Sequence, residues 1–321
     1  MANFSQLSEQ DVVGLAETFG LGALDSWSTI EAGTVNSNFA LRCASGRYFL
    51  RINEGKDEAA VAYEASLVSG LAELGVPTPV PVLAGERRYA DHRGQWASVF
   101  PWVEGGHVAR ADVSPVIARA VGAGLANLHA AADQVTGLAP HEGIYTTRAI
   151  AERARGFASS NDPALAEVNL LLADETRWLF AQPEPRDRGV IHGDLFRDNV
   201  LFASETLCAF LDFEQASMGS RTYDLAVCIN AWCYDQAMAP ELVAAMIAGY
   251  RATRATEPEP FTTQALWTEL RRSAWRFTIT RITDLHLRGI VDPDKDFRRY
   301  AARLVSWREL GADGLEGWLV A

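Results

Sequence analysis

Hydrophobic periodicity changes once along this chain, and that change most limits what it can fold into. In the first third the apolar positions come in short runs: Ile30, then Phe39-Ala40-Leu41-Arg42 and Tyr48-Phe49-Leu50-Arg51-Ile52. These read as strands, with Gly33-Thr34-Val35-Asn36-Ser37-Asn38 and Ser45-Gly46 as the polar links between them. Two more strands are predicted near 82–90 and 95–103. Two helices interrupt the pattern. One covers 8–20 and opens on Ser8-x-x-Asp11, an N-cap signal. The other covers 56–74, with Val61, Leu67, Leu71 and Leu74 on one face. Pro77, Pro79 and Pro81 then forbid helix and hold the chain extended. From about residue 113 the spacing is helical, over 113–129, 148–182, 236–254, 262–288 and 294–310. The exception is 189–214, where Val200-Leu201-Phe202 and Ala209-Phe210-Leu211 flank a polar loop and predict a small hairpin. A β-rich first third and a helical remainder indicate an α+β fold of two lobes. We expect a small β-rich N-lobe over 1–103 and a larger helical C-lobe over 104–321.

Composition narrows the function classes. The net charge of −12 makes sequence-independent nucleic-acid binding a poor expectation, because that rests on cationic contacts to phosphates. Anionic membrane surfaces are disfavoured for the same reason. No apolar run is long enough to span a bilayer, and Met1-Ala2-Asn3-Phe4 does not open a signal peptide. Cys43, Cys208, Cys228 and Cys233 form no CxxC pair and no zinc-type cluster, so reduced thiols and a cytoplasmic location are expected. Lysine is scarce: Lys56 and Lys295 are the whole set.

The residues that carry chemistry lie in the hairpin exception. His192 precedes Asp194 by two positions, Asn199 follows Asp194 by five, and Asp212 follows Asn199 by thirteen. Phosphoryl transfer needs an oxygen base beside the attacking hydroxyl and oxygen ligands for Mg2+ on the nucleotide phosphates. An Asp-x-x-x-x-Asn loop aims a carboxylate at the one and a side-chain amide at the other. The hairpin then returns the chain, so that Asp212 reaches the same metal. Asp212-Phe213-Glu214 stands where protein kinases carry Asp-Phe-Gly.

His192-Gly193-Asp194-Leu195-Phe196-Arg197-Asp198-Asn199-Val200-Leu201-Phe202, followed by Leu211-Asp212-Phe213-Glu214, resembles the aminoglycoside phosphotransferase and choline kinase-like family, which has a protein-kinase-like fold. Within it the chain is most similar to the bacterial homoserine kinases, through Gly33–Phe39, Leu195–Phe202, Tyr223–Cys233 and Arg276–Asp284. The resemblance implies an ATP- and Mg2+-dependent kinase of a small hydroxyl compound, foremost L-homoserine, as in threonine biosynthesis. Choline, ethanolamine, an amino sugar or an aminoglycoside are the alternative acceptors, and a pseudokinase binding module is the alternative class.

Carried over by position, Asp194 is the base, and Asn199 and Asp212 are metal ligands. Asp224 is the buried helix carboxylate that braces the loop, with His192 as a backbone prop. Arg51 takes the place of the usual phosphate-binding lysine and Glu64 is its partner; Lys56 is the second candidate for that cation. Gly33, Asn36, Ser37 and Asn38 cradle phosphate or form an ordinary turn. Phe100, Trp102 and Val103 line an adenine slot, unless Trp102 is core. Asp198, Trp232, Arg276, Arg281 and Asp284 are acceptor-contact candidates. Arg276 and Asp284, eight apart, share a helix face, either as a salt-bridged surface or as a grip on an amino acid's carboxylate and ammonium. Asp198 reads equally as a solvated loop acid.

Overall fold

The structure is a computed structural model that describes residues 5–31, 35–139, 141–254 and 261–320. Helix α1 (Glu9–Thr18) begins where Ser8 and Asp11 cap each other: Ser8 Oγ accepts from the Asp11 amide, and the Asp11 carboxylate accepts from the Ser8 amide. The chain then builds a five-stranded antiparallel sheet. Its spatial order is β1 (Leu24–Ile30), β2 (Ser37–Cys43), β3 (Gly46–Asn53), β5 (Gln95–Pro101), β4 (Ala90–His92). Along β2, Ser37, Phe39, Leu41 and Cys43 are buried while the residues between them are less so, the two-residue period that the apolar run implied. Phe39, Leu41, Leu50, Ile52 and Val99 pack with Val12 and Leu15 of α1, and with Phe19 just past its end, in one apolar cluster. Burying each such side chain contributes about 1.5–3 kcal/mol.

The strand expected over 82–90 shrinks to 90–92. Val82 still donates to the Val99 carbonyl, but Gly85, at φ 67°, turns the chain and Ala84 bridges back to Arg87. Helix α2 (Glu58–Glu73) starts at Asp57, whose carboxylate accepts from the Ala60 amide. Its Leu67, Val68 and Leu71 join the second, larger apolar cluster, with Val121 and Leu125 of α3 (Pro115–Ala132). Helix α2 therefore joins the sheet to the helical part and fixes the height of Glu64 beside β3.

The remaining helices are α4 (Thr147–Phe157), α5 (Ala166–Phe180), α6 (Arg221–Trp232), α7 (Pro240–Thr253), α8 (Thr263–Asp284) and α9 (Phe297–Val320), the last bent at Gly311. The single helix expected over 148–182 is two helices. Pro163 cannot continue a helix, and Asp162 caps the short turn that restarts the chain. Helix α6 was not marked by periodicity. Every residue from Asp224 to Trp232 is buried, so no polar stripe was there to find. The hairpin β7 (Val200–Ala203) and β8 (Thr206–Phe210) forms as expected, with a register shift at Leu201/Phe202. A second short ladder, β6 (Arg188–Ile191) with β9 (Ser217–Ser220), frames it. Helices α3 and α7 touch backbone to backbone, because Gly122 faces the Met246 carbonyl and Gly249 faces the Arg119 carbonyl. The whole is a two-lobed α+β fold. Among the described residues no helix is long and apolar enough to cross a membrane.

Candidate active site

The loop that follows β6 is held from behind by one carboxylate. Asp224, in the first turn of α6, is fully buried. Its Oδ2 accepts from the His192 amide at 2.8 Å and its Oδ1 from the Gly193 amide at 2.8 Å. The same Oδ2 lies 3.0 Å from His129 Nε2. A carboxylate only accepts, so Nε2 carries the proton and the Tyr250 hydroxyl donates to Nδ1 at 2.8 Å. Burial pushes the Asp224 carboxyl up, but His129 and the loop amides outweigh it and hold it below its ordinary value. Gly193 takes φ 78°, a left-handed conformation that glycine adopts without strain.

His192 is spent on backbone. Its Nε2 donates to the Leu211 carbonyl at 2.9 Å, its Nδ1 faces the Asp194 amide at 3.4 Å, and its ring lies 4.7 Å from Phe213. That placement suits a prop between loop and hairpin. Trp232 is in the same position: it is 1% exposed, and its indole donates to the Leu195 carbonyl at 3.1 Å. The structure thus puts this acceptor-contact candidate behind the loop, with its one donor already spent on backbone.

Asp194 itself turns outward. Its carbonyl accepts from Asn199 Nδ2 at 2.8 Å and from the Phe196 amide at 2.8 Å, which closes the loop on itself. Because Nδ2 is engaged, Asn199 Oδ1 is the atom left for a cation. The Asp194 carboxylate is 3.5 Å from Arg276 Nη1. Burial raises the Asp194 carboxyl above its ordinary value, with Arg276 opposing. Arg276 is 3% exposed, donates to Gln215 Oε1 at 2.8 Å, and lies over the Tyr145 ring at 4.1 Å.

A second group of charges meets the first from the sheet. Arg51 on β3 is buried and donates to Glu64 Oε2 of α2 at 2.5 Å. The pair expected from the sequence therefore forms. Arg51 Nη1 is also 3.5 Å from Asp212, so one guanidinium spans two carboxylates. Burial works against the Arg51 charge, but Glu64, Asp212 and Glu214 more than offset it. Asp212 takes φ 61°, which aspartate tolerates better than most residues. Burial, then Glu214, push its carboxyl up, with Arg51 opposing.

Lys56 pairs with Glu214 at 3.2 Å instead of Glu64. Asn36 Nδ2 donates to the same Glu214 oxygen at 2.6 Å, and the Asn36 Oδ1 accepts from the Glu54 amide at 3.2 Å. Ser37 Oγ donates to Glu54 at 2.6 Å. The start of β2 is thereby tied to the segment after the hairpin. Asn38 is paired in register with Arg51. Gly33 lies outside the described residues.

The other candidates scatter. Phe100 stands on β5 with Arg51 at 5.3 Å from its ring, and Trp102 is half-buried beneath Arg47 at 4.3 Å, not in the core. Val103 is half-buried beside it. Asp198 is exposed. Arg276 and Asp284 do share a face, but they do not meet: Arg276 turns to Asp194, and Asp284 takes Arg153 at 3.2 Å. Arg281 stacks over Tyr300 at 4.2 Å and lies 5.9 Å from the Phe196 ring. Sequence reasoning missed Glu214, Gln215, Tyr145 and His129. Glu214 had a signal, since it occupies the third position of Asp212-Phe213-Glu214; the others sit in unremarkable contexts.

Asn199 and Asp212 offer hard oxygen atoms, the donors that Mg2+ and Ca2+ prefer. Among the described residues no group of three or more His, Cys, Asp and Glu is placed to hold a metal. Two protein ligands suit a cation whose other ligands are phosphate oxygens and water.

Comparison with known proteins agrees with this geometry. Residues 26–259 match APH, the phosphotransferase enzyme family. The chain is 33% identical to a homoserine kinase of Chelativorans sp. (strain BNC1) over 291 residues, 88% of each chain. An amicoumacin kinase, hAmiN, solved in complex with AMP-PNP, Ca2+ and Ami, has a TM-score of 0.70 at 17% identity, covering 96% of this chain and 94% of its own. Choline kinase from Cryptosporidium parvum Iowa II has a TM-score of 0.69 at 15% identity, over 98% and 100%. At those identities the two structures speak for the protein-kinase-like fold alone. The family match covers most of the chain, including the loop that Asp224 braces, and it places this chain in the phosphotransferase enzyme family.

Proposed function

We propose that the protein transfers the γ-phosphoryl group of ATP, with Mg2+, to the hydroxyl of L-homoserine, giving O-phospho-L-homoserine and ADP. The observation that carries the phosphotransfer reading is one arrangement. Asp194 faces outward from a closed loop, Asn199 has one free oxygen beside it, and Asp212 is held by a buried Arg51 that also binds Glu64.

Asp194 accepts or orients the hydroxyl proton of the acceptor while that oxygen attacks the γ-phosphorus in line and the bond to the β-phosphate oxygen breaks. Asn199 Oδ1 and the Asp212 carboxylate would hold the divalent cation, which when bound offsets charge on the phosphate oxygens. Arg51 supplies a permanent cation to the same phosphates, and Glu64 keeps its fork aimed. Asn36, Ser37 and Asn38 at the start of β2 lie on the phosphate side, with Gly33 preceding them. Phe100, Trp102 and Val103 lie on the adenine side. We take the division between the lobes at 103/104, and the cytoplasm as the place of action, within threonine biosynthesis.

Two features support an amino-acid acceptor over choline or an aminoglycoside. The relatives in which most of the chain is matched are named homoserine kinase. Arg276 and Arg281 flank the catalytic loop, and a cationic acceptor would meet like charge there. The test is ATP turnover with a panel of L-homoserine, L-serine, choline, ethanolamine and kanamycin. Homoserine should give the highest kcat/KM. No stimulation by homoserine together with clear activity on choline would overturn the substrate.

A further inference from the structure

Beside the catalytic loop lies a set of arginines with too few carboxylates. Arg303, on α9, is 2% exposed, and its guanidinium sits between the rings of Tyr234 at 4.3 Å and Tyr300 at 4.1 Å. Among the described residues its Nε and Nη1 are buried without a hydrogen-bond partner, and so is the Tyr300 hydroxyl. Arg281 stacks on the same Tyr300 ring at 4.2 Å. Arg110, at the rim, takes the acids of the neighbourhood, Asp294 at 3.2 Å and Asp235 at 3.8 Å, both well exposed. Burial pulls Arg303 down to about 10, with Arg281 and Arg110 adding to it. A buried cation and a buried hydroxyl that lack partners are strongly unfavourable unless something completes them.

The position of this cluster says what that something is. The Tyr300 ring is 5.1 Å from Phe277 and 6.3 Å from Phe196. Phe196 is two residues past Asp194, and Arg276, next to Phe277, is 3.5 Å from the Asp194 carboxylate. The unpartnered donors are therefore one aromatic layer from the group that receives the hydroxyl proton. An anion bound there belongs to the molecule whose hydroxyl lies at Asp194.

We propose that Arg303, the Tyr300 hydroxyl and Arg281 bind the carboxylate of the acceptor, and that this subsite selects hydroxy acids over neutral or cationic alcohols. The inference rests on the phosphotransfer reading and names the acceptor's class. A carboxylate there accepts one N–H bond from the Arg303 guanidinium and an O–H bond from Tyr300, with Arg281 as a second cation beside it. An acceptor without a carboxylate leaves these donors buried and empty, which is the arrangement that discriminates most steeply.

The test is steady-state kinetics with L-homoserine and with propanolamine, which is homoserine without its carboxylate. Arg303→Met should lower kcat/KM for homoserine on the order of 100-fold, mostly through KM. Its turnover of propanolamine and its nucleotide KM should stay within twofold of the wild-type values. Tyr300→Phe removes one oxygen and should cost homoserine about tenfold, again sparing propanolamine. Equal losses on both acceptors would mean that Arg303 only props the fold, and would overturn the subsite. If Arg303→Met does not fold, Tyr300→Phe decides by the same comparison. Failure of the homoserine reading looks different: the wild-type protein would then leave homoserine unphosphorylated. In that case a best acceptor that lacks a carboxylate overturns the subsite, and a best acceptor that bears one, lost in Arg303→Met, upholds it.

Discussion

Asp224→Asn is the sharpest single test of how the catalytic loop is held. Asparagine has the same shape but one acceptor oxygen and one donor nitrogen. Asp224 Oδ2 serves His192 N and His129 Nε2, and Oδ1 serves Gly193 N. In its better orientation the amide oxygen keeps the first two bonds, and the amide nitrogen then points its hydrogens at the Gly193 N–H. One charge-assisted bond, worth about 1.5–3 kcal/mol, is lost, and a buried N–H is left without a partner at a further cost of about 1–3 kcal/mol. The two overlap, so we expect a loss of about 2.5–5 kcal/mol. The melting entropy scales with chain length at about 2.1 cal/mol/K per residue, which converts this to a fall in Tm of about 4–7 °C. Because the released Gly193 amide is next to Asp194, kcat should fall about 100-fold although Asp224 touches no substrate. The effect has a pH signature. The folded carboxyl lies below the ordinary value of about 3.9, so its contribution is complete above that pH and disappears as pH falls through the folded value. Calorimetric scans from pH 8 down to pH 3 should show the gap between wild type and variant closing only in acid. A variant with Tm within 1 °C and kcat within twofold of wild type would refute the bracing role.

Asp194→Ala should lower kcat by about 10²–10⁴-fold while titration calorimetry shows nucleotide affinity within twofold; unchanged turnover would remove the assigned base. Arg51→Lys keeps the charge, but one ammonium cannot span Glu64 and Asp212, so the ATP KM should rise about tenfold, and no change in it would place phosphate binding elsewhere. Gly122→Ala drives a Cβ into the Met246 carbonyl and should destabilise by about 1–3 kcal/mol, read as a lower urea midpoint. Its control is Gly14→Ala in α1, where nothing among the described residues lies within 4 Å of the new carbon and a gain of about 0.5–1 kcal/mol is expected.

How far the sequence could be read depended on what kind of signal each part left. Strand β2 was legible because one of its faces is buried and the other is less so, and β3 because its run of aromatic and β-branched residues, buried on both faces at Leu50–Asn53, is bounded by turn residues. Helix α6 was not legible by period, because it is buried all round, and its place came only through the resemblance of its Tyr223–Cys233 segment. The long helix over 148–182 was overdrawn because Pro163 reads as one interruption among helix formers, while the cap at Asp162 makes it a true break. At the site, Asp194, Asn199 and Asp212 were visible because local spacing sets their geometry. Their supports were not. His129 reaches Asp224 across 95 residues, and Arg276 reaches Gln215 across 61, so no spacing within a motif announces them. The reading of Trp232 failed for a related reason. A tryptophan in a motif announces either a contact or a brace, and the bond its indole gives to the Leu195 carbonyl decides for the brace.

Net charge was the weakest guide to the acceptor, and the structure shows why. A value of −12 suggests a chain suited to cationic ligands such as aminoglycosides. Charge acts over roughly 8–10 Å in physiological salt, so what a ligand meets is the local sum and not the total. Around the catalytic loop that local sum runs the other way. Arg276 is matched by Asp194 at 3.5 Å, but Arg281, stacked on Tyr300, and Arg303, buried, have no carboxylate partner among the described residues. On the sheet side Arg51 and Lys56 are each matched by acids, Glu64 and Asp212 for one and Glu214 for the other. The two sides therefore differ in kind. The sheet side is balanced and depends on a cation brought with the phosphates, whereas the helical side carries unspent positive charge, which an acceptor with its own carboxylate would neutralise.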